Sequence, residues 1–288
     1  MVDITIYHAA KTHNPCVALK HFGVLDASIG RVVSLFTGDM DYRINAQGQF
    51  LYKPFKDSPV TQLSSDEFID NFCDAMELYS IKEFVLIENK SLQLIDEWLD
   101  DPLGSGGMSI FNKEVLSDDE YRQLWGIFAP FDKPIYPNML HFKYSKSDIK
   151  KIIQDLKKSD LGKQELAGRK KRAIYFNEDF SETKYQEAVW LDLTLKVRKW
   201  AMSNGYGYAT YTNNQEGSRN KSYVIFDNDV VTSSGKTLYF SRKKYMEIIA
   251  PIFKGVVGKF HAQYRGGGVH VDRLLWADLN PMDYWDER

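Results

Sequence analysis

Residues 205–227 read Gly205-Tyr-Gly-Tyr-Ala-Thr-Tyr-Thr-Asn-Asn-Gln-Glu-Gly-Ser-Arg-Asn-Lys-Ser-Tyr-Val-Ile-Phe-Asp227. Tyr206, Tyr208 and Tyr211 are strand-forming aromatics, and Tyr223, Val224, Ile225 and Phe226 form a near-continuous apolar run of the kind found in a buried strand. Between them lies a polar loop with a single carboxylate, Glu216. The pattern predicts two strands that hold Glu216 between core elements. Directly upstream, Val189, Leu193, Lys196, Val197 and Trp200 recur at three- and four-residue spacing, and Asn204-Gly205 supplies a stop. Tyr185 to Ser203 is therefore expected to be a long helix leading into the first of those strands.

Working outward, Asp3-Ile-Thr-Ile-Tyr-His8 alternates apolar and polar residues and predicts a strand with His8 at its C-terminal end. Leu19 to Leu25 is a second short strand, Asp26 to Leu35 a helix with Asp26 as its N-cap, and Gln49 to Phe55 a third strand ended by Pro54. From residue 63 to 184 the chain is too long for a connection and must carry structure of its own. Ser64-Ser-Asp-Glu67 and Ser117-Asp-Asp-Glu120 are helix starts, Glu83 to Ile87 is a short strand or buried run, and Ser91 to Leu99 and Ser147 to Lys158 are helices. Met139 to Tyr144 is a strand. Leu103-Gly-Ser-Gly-Gly107 lacks the lysine and the strand-to-helix setting of a phosphate-binding loop and reads as a hinge. Beyond Asp227, Lys236 to Phe240 is a strand, Lys243 to Phe253 a helix, Arg265 to His270 a hairpin turn, and Trp276 to Arg288 a docked or frayed tail.

With 288 residues, 43% of them hydrophobic and 14% aromatic, the chain can bury a sizeable core. The formal net charge of -2 gives no overall attraction to nucleic acid or to anionic membrane. Cys16 and Cys73 lie far apart with no zinc spacing, and no long apolar stretch or N-terminal leader pattern occurs. These features imply a soluble, cytoplasmic protein with reduced thiols and no structural metal. Charge is nonetheless polarised along the chain. Sixteen acids stand against three lysines between Asp57 and Glu120, whereas Lys146 to Arg172 holds ten basic residues and four acids. The run Arg169, Lys170, Lys171 and Arg172 is a candidate contact for nucleic acid or another anionic partner, and solvated helix faces are the plainer reading of both segments.

The hairpin pattern, with Tyr211, Asn213, Glu216, Gly217, Ser222, Tyr223 and Phe226, resembles the C-terminal signature of the ADP-ribosyltransferase-like fold of phage and bacterial effector proteins. Tyr7-His8-Ala9-Ala10 and His21-Phe22-Gly23-Val24 resemble that family's N-terminal elements. Ala9, Val24 and Gly207 depart from the family, which more often has glycine, threonine and aspartate there. The resemblance implies an α+β fold with a split β-sheet core, formed by residues 1–62 and 185–288, and a large, mainly helical insertion at 63–184. It also implies NAD as co-substrate, Glu216 as the catalytic residue, and Tyr7, His8, His21, Phe22, Gly23 and Tyr223 as cofactor-binding residues.

Cleaving the nicotinamide–ribose bond passes through an oxocarbenium-like ribose, which a nearby carboxylate stabilises, as in glycosidases. Glu216 suits that role. His8 can hold the ribose or the carboxamide through a ring nitrogen, Tyr7, Phe22 or Tyr223 can stack on nicotinamide, and Arg31 or Arg43 can meet the pyrophosphate. His13, His141, His261 and His270 have no nameable partner and read as structural, and Glu187, Asp192 and Asp227 make no acid–base pair by spacing. The expected activity is transfer of ADP-ribose to a protein or nucleic acid. The alternatives are a catalytically silent binding protein of the same fold acting through its charged insertion, and an NAD glycohydrolase.

Overall fold

A computed structural model of the chain describes residues 3–11, 20–30, 32, 41–44, 50–53, 59, 61–96, 98, 107–129, 146–175, 185–213, 221–248 and 283–287. Alternating apolar residues build a central sheet of eight strands: β1 (Ile4–Lys11), β2 (Lys20–Gly23), β6 (Tyr79–Leu86), β7 (Ser91–Gln93), β8 (Tyr208–Thr212), β9 (Lys221–Ile225), β10 (Val231–Phe240) and β11 (Trp285–Glu287). Their spatial order is β11-β10-β6-β1-β2-β9-β8-β7, and every pair is antiparallel except β7 with β8. A smaller antiparallel sheet joins β3 (Asp41–Ile44), β4 (Phe50–Lys53) and β5 (Thr61–Leu63). The chain is thus a mixed α and β protein.

Helices follow from local signals. α1 covers residues 25–30, and α2 (Ser65–Met76) and α3 (Asp118–Phe128) both begin in capping boxes, at Ser64 with Glu67 and at Ser117 with Glu120. α4 (Lys146–Leu156), α5 (Asp160–Tyr175) and α6 (Tyr185–Ser203) follow, and α7 covers residues 242–248. α6 ends as its sequence predicts. Gly205 takes φ 78°, the Tyr206 N–H donates to Ala201 O at 2.9 Å, and the Gly205 N–H donates to Met202 O at 3.0 Å. This is a Schellman stop, and only a residue free to adopt positive φ makes it without strain.

α6 is the hub of the core. Its Leu193, Val197, Trp200 and Ala201 join Ala209, Tyr211, Val224 and Phe226 of the hairpin, with Leu124 and Phe128 of α3. On another side its Ala188 and Leu191 pack against Ile149, Ile153 and Leu156 of α4. A helix covered on two sides is apolar nearly all round. The other face of the sheet gathers Ile6, Phe22, Leu86, Tyr208, Tyr223 and Ile225. At the far edge, Phe72 of α2, Phe240, Tyr245, Tyr284 and Trp285 form an aromatic cluster that docks β11 on β10.

Several expectations are corrected here. The stretch 63–184 is not set apart from the core: β6 lies between β1 and β10, and β7 forms the edge beside β8. Residues 91–96 do not form the helix expected over Ser91 to Leu99. Leu92 is buried in β7, which pairs with β8, and the buried Leu94 just beyond it bonds Thr210 O of β8 at 2.8 Å and bridges to Phe111, an arrangement available only once β8 is in place. Asp26 is not a cap, since α1 begins a residue earlier and the Ser28 N–H bonds Val24 O at 3.0 Å. His8 lies inside β1, because pairing with β6 carries the strand on to Lys11. The readings at 139–144, 265–270 and the histidines at 13, 141, 261 and 270 fall outside the described residues.

Candidate functional site

The N-terminal strands and the 208–225 hairpin, nearly two hundred residues apart in the chain, are neighbours in the sheet in the order β1-β2-β9-β8. Their register aligns one row: Glu83 of β6 faces Tyr7, Tyr7 faces Gly23, Gly23 faces Ser222, and Ser222 faces Tyr211. Ser222 sits next to the hairpin tip. Glu216 itself falls in the tip, outside the described residues.

Along this row the chemistry is polar. The Tyr7 hydroxyl donates to Glu83 Oε2 at 3.2 Å, Lys236 Nζ stands 3.8 Å from Glu83 Oε1, and Ser234 Oγ donates to Glu83 O at 3.2 Å. Burial first, and then the neighbouring Glu83 charge and hydrogen bond, raise the Tyr7 hydroxyl above its usual pKa of 10. At the hairpin, Asn213 is 3% exposed and its Nδ2 donates to Ser222 Oγ at 3.3 Å, which ties the end of β8 to the start of β9. Gly23 admits α1 closely. A Cβ there would stand 2.9 Å from Ala27 Cβ and 3.5 Å from Ser222 Oγ.

The remaining predicted residues split between the two faces of the sheet. His8 points to the opposite face from Tyr7, its ring centroid 5.3 Å from that of Phe22, which in turn meets Phe84 edge-on at 5.0 Å. Its Nδ1 lies 2.6 Å from His21 O. A carbonyl only accepts, so Nδ1 carries the proton and, in the neutral ring, Nε2 is the acceptor. His21 shares the face of Gly23 by strand alternation. Phe22 and Tyr223 are buried core residues, and burial, then Tyr208, raises the Tyr223 hydroxyl above its usual pKa. Tyr7 and Gly23 therefore meet in the row, while His8, Phe22 and Tyr223 meet behind it.

Sequence reading missed Glu83 and Lys236. Glu83 was visible only as the first residue of a short strand or buried run, and its partner Tyr7 is 76 residues away. Arg43 lies in β3 and Arg31 outside the described residues. The run 169–172 lies within α5, and the side chains of Arg169, Lys171 and Arg172 fall outside the described residues. Lys170 is exposed.

Two other polar clusters are structural. Lys90, Glu120 and Tyr206 bind one another where α3 meets the end of α6. Arg242 bonds Asp70 at 2.9 Å and Asp74 at 2.5 Å, fastening α7 to α2 over Cys73, whose thiol burial pushes up to about 12 and so keeps inert. Among the described residues, no group of three or more His, Cys, Asp or Glu can hold a metal ion, and no helix is long and apolar enough to cross a membrane. Comparisons with protein-family models, with curated proteins and with solved structures find no match to this chain.

Proposed function

We propose that this chain is an NAD-dependent ADP-ribosyltransferase that cleaves the nicotinamide–ribose bond and passes ADP-ribose to a macromolecule. One observation carries the reading. Two motif segments that resemble the same family, one at residues 7–23 and one at 208–226, pair as adjacent strands, with Tyr7, Gly23, Ser222 and Tyr211 in one row that ends at the hairpin bearing Glu216. Segments so far apart in sequence have no local reason to meet.

In this reading, Glu216 stabilises the positive charge that develops on the ribose as nicotinamide leaves with the bonding electron pair, and it orients the acceptor that attacks the anomeric carbon. The Tyr7 ring, held by its bond to Glu83, lines the nicotinamide end, and the Asn213–Ser222 bond ties together the two strands from which the Glu216 loop arises. His8 supports β2 from behind by bonding the His21 carbonyl. Phe22 and Tyr223 serve this site through packing, since both are buried.

Purified protein, wild type beside Glu216→Gln, incubated with labelled NAD and a lysate divided into protein, DNA and RNA fractions, tests the reading. Nicotinamide release and label entering one fraction, both lost in the variant, are expected. Release without transfer would make the protein a glycohydrolase. Absence of both in the wild type would leave a silent binding protein, the outcome favoured by the departures at Ala9 and Val24.

A further inference from the structure

The order of contacts along α6 relates the charged segment to the hairpin. α6 ends at Ser203, the chain turns through residues 204–207 into β8, and Leu193 and Val197 of the helix share one core cluster with Ala209 and Tyr211 of the strand. The N-terminal half of α6 thus lies toward the hairpin tip, and it is that half, through Ala188 and Leu191, that α4 covers. The outer surface of α4 and α5 therefore flanks the end of the sheet where the tip emerges.

That surface is basic and polar. Lys150, Lys151, Lys157, Lys158, Lys163 and Lys170 are all exposed, against three exposed aspartates, Asp148, Asp155 and Asp160. Lys150 and Lys151 lie on α4, Lys157 and Lys158 in the turn that follows it, and Lys163 and Lys170 share a side of α5 about 10 Å apart. Two of them, Lys158 and Lys163, pair with Asp155 and Asp160. The Lys158 hydrogen bond holds the Asp155 carboxyl below its usual range, and Lys151 and, from α6, Lys196 add to this through space. Lys196 is itself paired with Asp192 of α6 at 2.6 Å.

The composition of the surface discriminates between partners. Protein interfaces have an apolar core and are depleted in lysine, whereas nucleic-acid interfaces are polar and strongly positive. The exposed large hydrophobic side chains among the described residues, such as Ile95, Val115 and Trp125, lie outside residues 146–175. We infer that the lysine-bearing outer face of α4 and α5 is a docking surface for a nucleic-acid backbone, and that nucleic acid is the acceptor for the neighbouring hairpin. The second half of this inference rests on the transferase reading; the first stands without it.

The test uses the full chain and fluorescence anisotropy with labelled single-stranded DNA, duplex DNA and RNA oligonucleotides of one sequence, without NAD, across about 50 to 200 mM salt. Wild type is compared with Lys150→Gln/Lys151→Gln/Lys170→Gln and with Lys113→Gln, an exposed lysine in the turn that precedes α3. Affinity for at least one oligonucleotide should fall steeply with salt, and the triple variant should lower the log–log slope by about two to three, at roughly 0.7–0.9 per lost phosphate contact. Lys113→Gln should bind as wild type does, and polyglutamate should compete poorly. Absence of binding, salt-independent binding, a triple variant indistinguishable from wild type at unchanged melting temperature, or equal competition by polyglutamate, which would indicate an acidic protein partner, each overturns the inference. Glu216→Gln separates the two readings. If it releases nicotinamide as wild type does while the binding results hold, the transferase reading and the acceptor assignment fail and the docking surface stands. If it abolishes release and nucleic acid does not bind, the docking surface and the acceptor assignment fail and the cleavage reading stands.

Discussion

Replacing Glu120 by glutamine perturbs one carboxylate that four donors share. Ser117 N–H and Oγ reach its Oε2 at 2.9 and 2.8 Å, and Lys90 Nζ and the Tyr206 hydroxyl reach its Oε1 at 3.0 Å each. Burial opposes the charge, but the bonds from Ser117, Lys90 and Tyr206 overcome it and hold the carboxyl at about 2, against an ordinary 4.5. Taken at face value that difference is worth about 3.4 kcal/mol at 1.36 kcal/mol per pH unit. The Lys90 side chain is 51% exposed, so solvent screens its part, and about 1–2 kcal/mol is the expected contribution of the charge at pH 7. Because the folded carboxyl titrates below the unfolded one, this stabilisation is fully present above pH 4.5 and is lost as pH falls through about 2. Urea unfolding of wild type and Glu120→Gln at pH 7 and again near pH 2.5 measures it. The two proteins should differ by about 1–2 kcal/mol at neutral pH and converge on acidification. A difference that persists unchanged at low pH would refute the electrostatic argument and leave only altered packing.

Three further outcomes are expected. Gly207→Ala should destabilise by about 1–3 kcal/mol, read as a fall in Tm of about 2–10 °C, because a Cβ there would stand 2.9 Å from both Asn89 Cγ and Val230 Cγ1; an unchanged Tm would mean that these neighbours yield freely. Asn213→Ala and Ser222→Ala should show a coupling of about 0.5–1.5 kcal/mol in a double-mutant cycle of urea unfolding, since each removes the same buried bond. Trp285→Ala should cost about 3–5 kcal/mol, since the indole is 1% exposed against Phe240, and its melting curve should show the β10 edge loosening.

Signals carried by neighbouring residues could be read from the chain alone. Both capping boxes, the Asn204-Gly205 stop, the length of α6 and the two hairpin strands depend on contacts within a few residues, so the pattern of side chains determines them. The same locality made Glu216, Tyr7 and His8 recognisable as candidates. Strand partnership lies on a different level. Whether residues 91–94 coil or extend depends on β8, more than a hundred residues later, and β6 enters the central sheet only because β1 and β10 are free on both sides to bond it.

Tertiary structure also decided which side chains share a face. A period of two sends Tyr7 and His8 to opposite sides of the sheet, but only the register joins Tyr7 to Glu83, Gly23 and Ser222 and sets His8 behind them against Phe22. The basic run at 169–172 shows the converse. Its charge was plain in the sequence, whereas the exposure of Lys150, Lys151, Lys157, Lys158, Lys163 and Lys170 on and between α4 and α5 follows from which sides of those helices the core covers. Local hydrogen bonding and periodicity were therefore legible in the chain itself, whereas the meeting of its two distant motif halves was settled by long-range strand pairing, which no window of sequence contains.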